Sequence, residues 1–155
     1  MDIEFSRNLI KGKIAELIFQ EMFRVADEFM ILPLGYEHTT PILAQYQHFV
    51  HIKKVLDNIR HAPDFALISQ DKTKVFLVEV KYRESFTQET IREIATELFV
   101  NWSPCFLFLV SRDIFYFESA QEIASQNGKV NRLPESWIKK EIQNSYLSLL
   151  REFIK

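Results

Sequence analysis

Apolar side chains recur at helical spacing in four stretches of the chain. The first runs from Arg7 to about Asp27 with Ser6 as a candidate cap, and the second covers residues 42–60. The third covers residues 85–102, and the last begins at Pro134, a residue type favoured at the start of a helix. The apolar positions expected to face the core are Ile10, Ile14, Leu17, Ile18 and Met22 in the first helix, Ile91, Ile94, Ala95, Leu98 and Phe99 in the third, and Ile138, Ile142, Leu149 and Phe153 in the last.

Shorter apolar stretches between these helices predict β-strands. They are EFMILPLGYEH, PDFALIS, VFLVEVKY, CFLFLVSRD and IFYFES, whereas SQNGKVN predicts a turn or loop. Pro33 lacks the N–H that a central strand needs, so its strand is expected at a sheet edge. The order of elements predicts a single α/β domain over residues 1–155, in which helices pack on a mixed β-sheet.

Alternation along the middle two strands brings charged side chains together at one end. On VFLVEVKY, Glu79 and Lys81 point to the same face. An even-numbered hairpin loop within QDKT pairs Ala66 with Leu77 and therefore sets Asp64 opposite Glu79. The sequence thus predicts two carboxylates and an ammonium group near one point.

Two carboxylates placed directly opposite each other are destabilising unless a cation lies between them. Their oxygens are hard ligands that suit Mg²⁺ or Mn²⁺, and a neighbouring ammonium can orient a water or offset charge on a phosphate. The chemistry of these three groups suits phosphodiester hydrolysis. The alternative is an exposed strand end where Lys81 simply neutralises Asp64 and Glu79.

The stretch PDF at the head of one strand and VEVK at the foot of the next resembles the PD-(D/E)xK, or restriction-endonuclease-like, nuclease superfamily. The resemblance implies an αβββαβ core, here with an extra helix after the first strand and a C-terminal helix. It implies that Asp64 and Glu79 bind the metal, that Lys81 is the catalytic lysine, and that Glu16 from the first helix completes the site, with Gly12 permitting close approach. Among members of the superfamily, small repair or junction-resolvase-like endonucleases are the nearest analogy.

The expected substrate is DNA, branched or damaged strands included, and a homodimer is expected where both strands of a duplex are cut. The net charge of −2 means that contact with a phosphate backbone must come from a local patch rather than from the whole surface. Candidate contacts are Arg83, Lys13, Gln88 and Arg92. Two alternatives remain open: a nucleic-acid-binding or interaction domain of the same fold without turnover, and a structural domain that dimerises through its terminal helices.

Other residue patterns point to no further chemistry. His48 and His51 lie three apart on a predicted helix, but no third ligand accompanies them, which favours surface histidines over a metal site. Cys105 precedes an apolar run and is expected to be a small buried hydrophobe. The start of the chain has no apolar signal segment and no stretch is long enough to span a bilayer, so a cytoplasmic protein with no membrane partner is expected.

Overall fold

The computed structural model describes residues 2–34 and 62–154. The described helices are α1 (Ile3–Ala26), α2 (Gln88–Asn101), α3 (Ala120–Ser125) and α4 (Lys140–Phe153). The strands are β1 (Phe29–Pro33), β2 (Phe65–Ser69), β3 (Val75–Tyr82), β4 (Cys105–Val110) and β5 (Phe115–Ser119). The helix predicted at residues 42–60, with His48 and His51, lies outside the described residues.

The described strands form one mixed sheet in the order β1-β2-β3-β4-β5. Neighbouring strands are antiparallel except for β3 and β4, which run parallel and are connected through α2. A parallel pair needs such a crossover because its strands cannot be joined by a tight turn. Pro33 ends the edge strand β1, as expected. The prediction of an α/β fold with helices on a mixed sheet is therefore confirmed.

The two faces of the sheet carry separate apolar clusters. On one face, α1 and α4 cover a phenylalanine-rich core in which the Phe19 ring lies 5.0 Å from those of both Phe65 and Phe108. On the other face, α2 and α3 pack on Leu107 and Leu109. The aromatic residues of β4 and β5 thus fill the core, where rings add large buried area and favourable edge contacts.

Several predicted boundaries are wrong by a few residues. Helix α1 begins before Arg7 because Asp2, rather than Ser6, caps it by accepting a hydrogen bond from the Phe5 N–H at 3.0 Å. The last helix begins at Lys140, since the residues after Pro134 form a turn. The short helix α3 occupies a stretch for which no helix was predicted.

These shifts change which residues face the core. In α1 the buried positions are Ala15, Ile18, Phe19, Met22 and Phe23, while Ile10 and Leu17 are exposed. In α4 the buried positions are Gln143, Leu147 and Leu150, while Leu149 and Phe153 are exposed, contrary to prediction. The predicted apolar face of α2 agrees better with the structure. Ile91, Ala95 and Leu98 are buried and Ile94 is half-buried, although Phe99 is exposed. None of the described helices has the length and apolar character needed to cross a membrane.

Candidate active site

The site lies where β2 and β3 stop pairing. Ala66 pairs with Leu77, as predicted, and the last pair of the ladder is Phe65 with Val78. Residues 79–82 of β3 therefore extend beyond β2. At this point the Asp64 side chain replaces the strand pairing, because its Oδ2 accepts a hydrogen bond from the Val80 N–H at 2.8 Å. The bond satisfies a donor that the sheet leaves unpaired on this side and orients the carboxylate.

An open cleft of about 690 Å³ lies between this strand end and the N-terminal half of α1. Helix α1 packs on β3, so its residues reach the same cleft as the strand end. The described lining consists of Glu4, Asn8, Leu9, Lys11, Gly12, Lys13 and Glu16 from α1, Asp64, and residues 79–85. The structure thus brings Asp64, Glu79, Lys81, Glu16, Lys13 and Arg83 together in one cleft.

The two central carboxylates are held in an environment that disfavours their ionised forms. Burial raises the pKa of Glu79 to about 8, and repulsion from Asp64 adds to this, while Lys81 opposes the rise. Burial also raises the pKa of Asp64 to about 6, and Glu16 adds repulsion against the opposing effect of the Val80 N–H. Both carboxylates are therefore sites where a positive charge would be bound favourably.

Two lysines partly offset this negative charge. Lys81 Nζ lies 3.3 Å from Glu79 Oε1, and Lys13 Nζ lies 3.2 Å from Glu16 Oε2, one turn apart on α1. Both lysines lower the pKa of Asp64, Lys81 from the strand end and Lys13 from α1. The Lys81 side chain remains 36% exposed, so its ammonium is accessible from the cleft.

Gly12 leaves space in the helical wall of the cleft. A Cβ added to Gly12 would meet no atom of the described structure within 4 Å, so packing does not require a glycine here. The small size of Gly12 was expected to permit close approach, but among the described residues no atom of another element comes close to it. What Gly12 provides instead is open volume beside Glu16 and Lys13.

Gln88 and Arg92 do not line the cleft. The backbone carbonyl of Gln88 approaches Gly128, where an added Cβ would lie 1.9 Å from the carbonyl oxygen. Arg92 lies on a different groove along α2 with Glu89 and Glu93. These two predicted nucleic-acid contacts thus lie outside the cleft that holds the acidic pair.

Several residues of the cleft were not predicted as site residues. Three of them, Tyr82 and Glu84 after Lys81 and Lys11 of α1, form a polar cluster. The spacing of Lys11 could have indicated its position, because it lies four and seven residues before the buried Ala15 and Ile18 and thus on the buried face of the helix. That inference requires knowing which face of α1 is buried, and the apolar spacing in the sequence predicted a different face.

Within residues 2–34 and 62–154, no three or more His, Cys, Asp or Glu side chains form a ready-made metal-binding cluster. Cys105 is buried beside this region, and burial raises the pKa of its thiol to about 12, with Glu79 contributing. Its expected role as a small buried residue is confirmed.

In comparison with known proteins, no family model and no curated sequence matches the chain.

Proposed function

We propose that this chain is a divalent-metal-dependent nuclease of the PD-(D/E)xK type that hydrolyses phosphodiester bonds in DNA. One observation carries the proposal. In a single open cleft, two carboxylates whose ionised forms are disfavoured, Asp64 and Glu79, lie with a lysine whose Nζ is 3.3 Å from a Glu79 oxygen. The element order α1, β1, β2, β3, α2, β4 and the mixed sheet agree with the core of that superfamily.

The acidic pair suits Mg²⁺ or Mn²⁺ by its chemistry. Carboxylate oxygens are hard donors, and Mg²⁺ takes only one or two protein carboxylates while keeping several waters, so a pair is sufficient. The Val80 N–H holds one oxygen of Asp64, which limits rotation of that carboxylate. When bound, the ion would supply Lewis acidity and a more acidic water.

The protein groups then act on the reacting phosphate. Lys81, whose Nζ lies 3.3 Å from Glu79 Oε1, would donate a hydrogen bond to the attacking water or to the phosphate oxygens as negative charge develops on them. Hydrolysis forms a bond from the water oxygen to phosphorus, breaks the ester bond opposite to it, and leaves the proton on the departing oxygen. Glu16 and Lys13 face this point from α1 and would position the water or the strand.

The charge of the cleft explains why a metal would be needed before a polyanion binds. Among the described lining residues, five are acidic and four are basic. They are Glu4, Glu16, Asp64, Glu79 and Glu84, against Lys11, Lys13, Lys81 and Arg83. A phosphate backbone gains affinity by contact with positive charge, so the acidic pair must first be offset. Arg83, with its Nη1 donating to the Tyr82 carbonyl at 2.8 Å, is then a fixed positive group beside the strand path.

A second candidate is a nucleic-acid-binding or interaction domain of the same fold without turnover. The ion pair between Lys81 and Glu79 favours it, because this pair neutralises one carboxylate without any metal. The two candidates differ in whether the cleft takes up a divalent ion and whether strands are cut.

The experiment is cleavage of supercoiled plasmid and of a branched DNA junction in Mg²⁺, Mn²⁺ or EDTA. We expect cleavage in the metals and none in EDTA, and a loss of at least about 100-fold in Asp64→Asn and Lys81→Met. Lys129→Met is the matched control, since Lys129 is exposed and does not line the cleft. Cleavage that persists unchanged in both site variants, or no cleavage in any metal, would refute the enzymatic proposal, and metal-independent DNA binding without cleavage would support the second candidate.

A homodimer is part of the proposal for duplex substrates, because cutting both strands takes two such clefts. The N-terminal half of α1 carries exposed apolar side chains at Ile3, Phe5, Leu9 and Ile10, which is a surface that association would cover. Sedimentation of the protein with and without duplex DNA measures the state directly, and a monomer under both conditions would rule the dimer out.

A further inference from the structure

We infer that Lys11 and Tyr82 form a binding subsite for a backbone phosphodiester of the nucleic acid, which the Glu84 carboxylate occupies while no strand is bound. Two donors converge on a single oxygen of Glu84. Lys11 Nζ donates to Glu84 Oε1 at 2.7 Å, and Tyr82 Oη donates to the same oxygen at 3.3 Å. The inference rests on the proposed function because the subsite lines the same cleft as Asp64 and Glu79.

The two donors, Lys11 and Tyr82, are held in place, whereas the acceptor, Glu84, is free to move away. The Lys11 side chain is only 18% exposed, and its ammonium lies 5.6 Å from the centre of the Tyr82 ring, a favourable position for a cation. Tyr82 is itself buried in the core. The Glu84 side chain is 57% exposed, so it can turn into solvent when another anion arrives. An ion pair with so exposed a partner contributes little to stability and is readily exchanged.

Charge favours a phosphodiester as the incoming anion. The hydrogen bond from Lys11 and its positive charge lower the pKa of Glu84, so the position favours negative charge, and Arg112 acts in the same direction. Burial, followed by Glu84, raises the pKa of Tyr82 to about 12, so its hydroxyl keeps its proton and acts as a donor. One ammonium and one hydroxyl match the single negative charge of a phosphodiester, whose oxygens form short charge-assisted hydrogen bonds with such groups.

The position of the subsite fits a phosphate next to the one that is cut. Tyr82 lies three residues beyond Glu79 on β3, which corresponds to about 10 Å along the strand. That separation is too long for two oxygens of the same phosphate. The subsite would therefore hold a flanking phosphate and fix the path of the strand across the acidic pair.

The test measures DNA affinity by fluorescence anisotropy with a labelled single strand and the matching duplex. All proteins carry Glu79→Gln, and the buffer contains EDTA, so neither metal nor turnover enters the result. We expect Glu84→Gln to raise the affinity three- to tenfold for both probes, and Lys11→Met to lower it. The gain from Glu84→Gln should vanish when Lys11→Met is also present, because the two changes act on one contact. Tyr82→Phe, which keeps the ring, should lose part of the affinity and serves as the variant least apt to disturb folding.

The matched control is Glu4→Gln. Glu4 also lines the cleft, but it pairs with Arg7 on the exposed surface of α1, so its removal reports only the general effect of one negative charge less. Equal gains from Glu4→Gln and Glu84→Gln would overturn the subsite, as would a gain that survives Lys11→Met, or no binding by any of the proteins. Displacement of the strand by inorganic phosphate, beyond the effect of chloride at equal ionic strength, would also overturn it in favour of a free-anion site.

Failure of the subsite and failure of the proposed function give different results. Metal-dependent cleavage by the wild type with no specific effect of Glu84→Gln leaves the nuclease standing and removes the subsite. Conversely, the affinity pattern described above, with no cleavage in any metal, keeps the subsite in a protein that binds nucleic acid without cutting it.

Discussion

Replacing Glu79 by glutamine is expected to stabilise the protein at neutral and alkaline pH. The Glu79 side chain is only 14% exposed, and both burial and the neighbouring Asp64 raise its pKa to about 8 from an ordinary value of 4.5. A carboxyl group that holds its proton more tightly in the folded state makes folding less favourable once the solution removes that proton. Stability should therefore fall as the pH rises from about 4.5 toward about 8.

The magnitude follows from the linkage between proton binding and folding. Each unit of pKa corresponds to about 1.4 kcal/mol. The rise in the pKa of Glu79 from 4.5 to about 8 therefore limits the destabilisation by its ionised form to about 5 kcal/mol above pH 8. Water entering the open cleft and relaxation of the wall reduce this destabilisation, so we expect the free energy of unfolding of Glu79→Gln to exceed that of the wild type by about 2–4 kcal/mol at pH 8 and by close to zero near pH 4. Lys81→Met should act in the opposite direction, because it removes the cation 3.3 Å from Glu79.

The assay is urea denaturation of the wild type and Glu79→Gln between pH 4 and pH 9, with Glu97→Gln as the control on the exposed face of α2. Adding Mg²⁺ should raise the stability of the wild type more than that of Glu79→Gln, because a ligand that binds only the folded state stabilises it. A flat pH dependence of the difference, or a Glu79→Gln variant less stable than the wild type at pH 8, would refute the reasoning. The flat result would show that folding does not change the pKa of Glu79, and the less stable variant would favour a structural ion pair between Lys81 and Glu79.

Three further predictions concern positions outside the acidic pair. Gly12→Ala should stabilise the protein by up to about 1 kcal/mol in urea denaturation, since alanine favours a helix and its Cβ meets no atom of residues 2–34 and 62–154 within 4 Å; a loss of stability would show that the wall is occupied. Gly128→Ala should destabilise it by at least about 2 kcal/mol, because Gly128 has φ +92° and the new Cβ would lie 1.9 Å from the Gln88 carbonyl oxygen, and a neutral result would contradict that contact. The Cys105 thiol, 3% exposed and with its pKa raised to about 12, should react with a disulfide reagent only after unfolding; rapid reaction of the native protein would show that the region opens.

Local pattern was enough to predict those parts of the fold that depend on nearest neighbours. The alternation of VFLVEVKY and the short QDKT turn determine the hairpin register, because a slip of one residue would move every side chain to the other face. For the same reason the pairing of Ala66 with Leu77, and with it the approach of Asp64 to Glu79, followed from sequence. Pro33 marked its strand as an edge strand because proline has no N–H to donate.

Only the tertiary structure decided which side of each terminal helix faces the core. Helix α1 is apolar on more than one side, and its orientation is chosen by the contacts of Phe19 and Phe23 with rings that arrive from β2, β4 and β5. That choice places Ile10 and Leu17 in solvent and turns Lys11 inward over the Tyr82 ring. Spacing along one helix cannot specify this, because the partner surface is made by residues distant in sequence. The acidic pair could thus be read from the chain, whereas the pairing of Lys11 with Glu84 and the shape of the cleft exist only once the helix has docked on the sheet.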